Sequence, residues 1–96
     1  MKREVIIDRI REQEAELRRM GVARLCLFGS AARGQADAES DLDFLVAFEG
    51  TADYDRYITL KFFLEDLLGK PVDLVMETAL KPRIRSRVES EMIRVA

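Results

Sequence analysis

Asp41 and Asp43, separated only by Leu42, are the residues in this chain best placed to do chemistry. From Asp41 onward the sequence alternates, with Leu42, Phe44, Val46 and Phe48 pointing one way and Asp41, Asp43, Leu45 and Ala47 the other, which predicts a strand. Both carboxylates then project from one face, close enough to share bound cations. Hard oxygen ligands with no histidine anywhere favour Mg²⁺, or Mn²⁺ in its place, over zinc. A third aspartate, Asp73, lies in a later run, Val72 to Met76, where Val72, Leu74 and Met76 share one face and Asp73 and Val75 the other. If that strand lies beside the first with the same face forward, Asp73 joins the pair. Three converging carboxylates repel one another unless cations neutralise them, so the pattern suits a two-metal site better than packing. Upstream, Gly29 lets the backbone approach a ligand closely, and Ser30 offers a hydroxyl and an N–H at the start of a helical turn, a natural phosphate seat. Arg33 is placed to add a charge-assisted contact to the same phosphates.

The elements that position these residues are legible on either side. Residues 4 to 20 read as one amphipathic helix, with Ile6, Ile10 and Leu17 on a stripe and Gly21 as its cap. Val22 to Phe28 is apolar on both faces and broken at once by Gly29, which suits a strand in the middle of a sheet. Ala31 to Gln35 fits one helical turn, and Ala36 to Ser40 a polar loop. Asp53 is placed to cap a helix over Tyr54 to Leu68, closed by Gly69 and Pro71. Pro82 suits the first turn of a last helix, along which Ile84, Val88 and Val95 form a narrow apolar stripe. The order helix, strand, strand, helix, strand, helix predicts an α/β (α+β) fold: a small mixed sheet flanked by helices.

Composition sets the limits. At 96 residues and 48% hydrophobic, the chain holds one modest core, so residues 1–96 are expected to form a single domain. Its net charge of −2, with both signs mixed along the chain, gives no global field for nucleic acid, and no direct nucleic-acid binding is expected. The absence of histidine removes every Ser-His or Cys-His arrangement. A lone cysteine, Cys26, inside an apolar run reads as a small core residue in a reducing compartment. With no signal peptide and no membrane-length apolar run, the chain is expected to be cytoplasmic, without membrane contact.

Gly29-Ser30, the ten residues Ala31 to Ser40, then Asp41-Leu42-Asp43 resemble the signature of the polymerase-beta-like nucleotidyltransferase superfamily. Within it, GSAARG, SDLDFLV and the late Val-Asp-Leu-Val are similar to the minimal nucleotidyltransferases, the MNT antitoxins paired with HEPN toxins. The resemblance implies that Asp41 and Asp43 ligate two Mg²⁺ ions, and that Asp73 completes the nucleophile-side site and helps deprotonate the attacking hydroxyl. It further implies that Gly29 and Ser30 hold the β- and γ-phosphates of ATP, and that AMP passes to a tyrosine hydroxyl of the toxin. Two alternatives remain: an antitoxin that neutralises by binding alone, disfavoured by the three aspartates, and a nucleotide-binding subunit of an enzyme that modifies a small molecule or nucleic acid. A homo- or hetero-oligomer is compatible with either.

Three features stay open. On the second long helix, Ile58 and Phe62 fall opposite the main apolar face, so they either pack beneath the first or last helix or belong to a partner-binding patch. Lys81, Arg83, Arg85 and Arg87 crowd the start of the last helix, either simply solvated or facing the triphosphate or an acidic partner. Tyr54 and Tyr57 are helix-face aromatics, suited to packing or to stacking on adenine.

Overall fold

In the computed structural model, which describes residues 2–34 and 41–96, the apolar runs become strands at the expected positions: β1, Val22–Phe28; β2, Leu42–Phe48; and β3, Val72–Met76. A short fourth strand, β4, Ile93–Arg94, completes a mixed sheet in the order β3-β2-β1-β4. β1 runs antiparallel to both β2 and β4, whereas β2 and β3 are parallel. β1 is thus interior, as its two apolar faces require.

The helices are α1, Arg3–Arg11; α2, Glu14–Arg19; α3, the single turn Gly29–Ala32; α4, Tyr54–Leu68; and α5, Pro82–Glu91. The Asp53 carboxylate accepts the Arg56 N–H at 2.8 Å, capping α4, and Gly69 closes that helix in the left-handed conformation at φ +68°. A turn of 3-10 helix, Glu77–Ala79, leads from β3 to α5.

One face of the sheet carries the main core. Leu42, Phe44 and Val46 of β2 and Leu25 and Leu27 of β1 pack there with Ile6 and Ile10 of α1, Leu17 of α2, and Leu60, Leu64 and Leu68 of α4. The opposite face is covered more thinly. Cys26 and Leu45, adjacent in the β1–β2 register, are buried there outside that cluster.

The outer edge of β3 is closed by α4. The Glu65 carboxylate accepts the Val72 N–H at 2.9 Å, and the Tyr57 hydroxyl donates to the Leu74 carbonyl at 2.7 Å. Two groups that an edge strand leaves outward are thereby satisfied from within the molecule.

Three sequence expectations need correction. The first helix is two helices broken at Glu12–Gln13. No residue between Ile10 and Leu17 is buried, so nothing anchors that turn, and the halves address different neighbours: α1 packs on α4 and α2 on β1. Val95 is not on the last helix. The chain is extended by Met92, and Val95 and Ala96 exchange backbone hydrogen bonds with Leu25 at 2.8–3.2 Å, because β1's open edge needs partners more than α5 needs another turn. The helical turn expected from Ala31 begins earlier, at Gly29; Gln35 and the polar stretch 36–40 lie outside the described residues.

Candidate active site

The sheet register brings the sequence-selected residues to one end. Asp43 of β2 is the direct partner of Asp73 on β3 and of Phe28 on β1, so all three side chains leave the same face in one row. That face is the thinly covered one, shared with Cys26, Leu45 and Val75. Leu42 at the strand start is fixed by its N–H to the Pro71 carbonyl at 3.0 Å, which sets the height of β2 against β3. Asp41 precedes the strand and is exposed, Asp43 is half-buried, and Asp73 is exposed.

Asp43 and Asp73 are direct partners in the β2–β3 register, so their carboxyls stand side by side on one face. The Asp43 pKa is raised above the usual carboxylate range, first by burial, then by the charges of Asp73 and Asp41, with Arg33 pulling the other way. Asp41 is therefore close enough to act on Asp43. Among the described residues, however, no three acidic, histidine or cysteine side chains converge as a ready metal-ligand set.

Gly29 follows β1 directly and lies against this pair. Its φ is +73°, and a Cβ built there would fall 2.3 Å from Asp43 Oδ2 and 3.1 Å from its Cγ. Both the backbone conformation and the space therefore require glycine. Ser30, next in α3, is half-buried beside it. Arg33, at the end of that turn, bridges to Glu91 of α5 at 2.9 Å, while its charge reaches Asp43. It is a strut between α3 and α5 as well as the cation nearest the carboxylates in their electrostatics.

Other selected residues fall elsewhere. Tyr57 is tied to the edge of β3, and Tyr54, exposed, stands at an open cavity of about 420 Å³ lined also by Val75 and Met76. At the far end of the same face, Arg24 of β1 forms a two-point ion pair with Glu77. Phe28, beside Asp43 in the row, was not singled out from the sequence. Only the antiparallel register of β1 reveals it, since no spacing within β1 points to Asp43.

The chain belongs to the nucleotidyltransferase domain family, whose profile matches residues 7–95, and it is a nucleotidyltransferase. Among relatives, it is 46% identical over 81 residues to the protein adenylyltransferase MntA of Thermococcus cleftensis, covering 83% of this chain and 82% of that one. A solved structure assigned as a minimal nucleotidyltransferase matches with a TM-score of 0.86 at 43% identity, over 97% of this chain and 95% of the other. The resemblance read from the Gly-Ser and Asp-x-Asp motifs is borne out, and so is the expected fold. A chain of a toxin–antitoxin complex solved with AMP-PNP shares the fold at a TM-score of 0.73 and 24% identity, over 90% of this chain and 72% of that one.

Proposed function

We propose that this nucleotidyltransferase moves AMP from ATP to a hydroxyl, that of a tyrosine, on a partner protein of the HEPN-toxin kind, and so acts as its antitoxin in the cytoplasm. One observation carries the reading: Asp43 and Asp73 stand side by side in the strand register at one end of the sheet, with the Gly29 backbone directly against Asp43. A glycine backbone beside two carboxylates supports phosphate and cation binding at that end. The adenylyltransferase relative supports ATP as donor and a protein as acceptor.

The donor set fits Mg²⁺ or Mn²⁺. Two neighbouring carboxylates whose charges oppose each other's ionisation at Asp43 are a pair that a divalent cation would relieve, and all the available ligands are hard oxygens. Asp41, Asp43 and Asp73 would hold two such ions, Asp41 by turning toward the pair, and the ions would neutralise the triphosphate charge. The chain's own residues do the rest. Gly29 and Ser30 hold the β- and γ-phosphates and so fix the α-phosphorus over Asp43, and Arg33 adds positive charge to that end. Asp73 lies on the open side of the row and takes the proton of the acceptor hydroxyl. The hydroxyl oxygen bonds to the α-phosphorus, the bond to the bridging oxygen breaks, and pyrophosphate leaves.

The test is incubation with labelled ATP, Mg²⁺ and the product of the adjacent gene. Label on that partner, absent in the Asp41→Asn/Asp43→Asn double variant, is the expected result. Neutralisation of the partner that persists unchanged in a folded double variant would replace transfer with binding alone.

A further inference from the structure

Two helices of this molecule each expose an apolar residue beside charged ones, and the charges that share its face differ in sign between the two. On α4, Phe62 is 56% exposed. At 100° per residue, Asp55 and Asp66 lie within 40° of it and Ile58 beside it, while the nearest basic residue of the helix, half-buried Lys61, stands 100° away. Phe62 therefore does not pack beneath another helix, and the charged residues nearest it along its face of α4 are Asp55 and Asp66.

On α5, Ile84 is 45% exposed, in a helix with no buried residue at all. Lys81 and Arg85 flank it on one side and Arg83 and Arg87 on the other, all exposed, and Arg85 also reaches back to the Glu77 carbonyl at 2.9 Å. Residues 81–87 contain four positive charges and no negative one, so the chain's net −2 leaves −6 on everything else. The two patches cannot meet within one molecule. α4 covers the main core face, whereas α5 lies over the other, its Glu89 close enough to act on Arg24 of that face.

We propose that these patches meet between molecules: the Ile84 face of α5 on one copy seats against the Phe62 face of α4 on the next. An apolar centre with a charged rim is the anatomy of a protein interface, and α5 carries no aromatic on which a nucleic-acid base could stack. A second copy supplies both complements, in apolar contact and in charge. The contact is head-to-tail, because it joins two different surfaces. α5 is about 15 Å long, so the contact falls in the small, reversible class below about 1,200 Å² of buried surface.

The experiment uses the whole chain in sedimentation velocity over a range of concentrations, with F62E and I84E as variants and circular dichroism to confirm that each folds. The wild type is expected to associate with rising concentration, less so at high salt, and each variant to lose at least about tenfold in association constant. A head-to-tail contact makes a sharper demand. F62E retains an intact α5 face and I84E an intact α4 face, so an equimolar mixture of the two regains a dimer that neither forms alone. Should either variant fail to fold, the milder charge reversals D66K and R87E take its place in the same mixing experiment. A wild type that stays monomeric throughout, or a mixture that regains nothing, overturns the proposal. So does retention of RNA by the basic face with no self-association. Loss of partner labelling in F62E with self-association intact would likewise overturn it, assigning the α4 face to the acceptor while leaving the transfer reaction standing.

Discussion

Replacing Gly29 with alanine tests the site through one methyl group. The left-handed backbone at φ +73° costs a non-glycine residue about 1–2 kcal/mol. The new Cβ also meets Asp43 Oδ2 at 2.3 Å, and displacing that side chain adds roughly 1–3 kcal/mol, the usual range for overpacking. Gly34 is an internal control, because its φ of +72° imposes the same backbone strain while a Cβ there meets nothing within 4 Å. In urea denaturation, Gly34→Ala should therefore cost about 1–2 kcal/mol and Gly29→Ala about 2–5 kcal/mol. Combining Gly29→Ala with Asp43→Ala removes the colliding carboxyl and leaves only Asp43's own Cβ, at 3.3 Å. The cost of Gly29→Ala should then fall to that of Gly34→Ala, giving a coupling of about 1–3 kcal/mol in the double-mutant cycle. Nucleotidyl transfer should drop in Gly29→Ala and survive in Gly34→Ala. Equal costs at the two glycines, with transfer retained in both, would refute the close approach of this backbone to Asp43.

Two further outcomes follow from the same geometry. In metal-free buffer, Asp43→Asn should stabilise the chain by about 0.5–1 kcal/mol by removing a like charge opposite Asp73 while abolishing transfer, which thermal unfolding and the labelling assay read together. Because folding raises the Asp43 pKa, that group's contribution is fully present below the ordinary carboxylate range and is lost as pH rises through the raised value; the D43N variant should flatten this decline in stability measured from acid to neutral pH. At the β3 edge, Tyr57→Phe leaves the Leu74 carbonyl without its donor and should cost about 1 kcal/mol in chemical denaturation, with Glu65→Ala at Val72 costing a similar amount.

The strands were legible because their signals are local. Leu42 through Phe48 alternates, Val22 through Phe28 is apolar between two glycines, and Asp53 and Gly69 mark the ends of α4 by side-chain and backbone chemistry. The shared face of Asp43 and Asp73 depended on a parallel pairing of β2 with β3 that alternation alone does not dictate, and the register supplied it. The break at Gln13 carries no glycine or proline and follows from what each half touches, a tertiary matter. Val95 was misplaced because Ile84, Val88 and Val95 fit a helical period while Ile93 and Val95 also fit a strand, and β1's edge decided between them. The dual role of Arg33 was hidden for the same reason, since Glu91 is 58 residues away in sequence.

The hold of α4 on β3 limits how an acceptor can arrive. With the Val72 N–H bound to Glu65 and the Leu74 carbonyl bound to Tyr57, another backbone cannot add itself as a strand alongside Asp73 without first breaking two hydrogen bonds. Strand addition at this edge is thereby disfavoured, while the Asp73 side chain itself stays exposed to an incoming side chain. A long side chain ending in a hydroxyl, as tyrosine's does, has the reach for such an entry. The resistance to main-chain pairing at this edge comes from α4, which carries none of Asp41, Asp43 and Asp73.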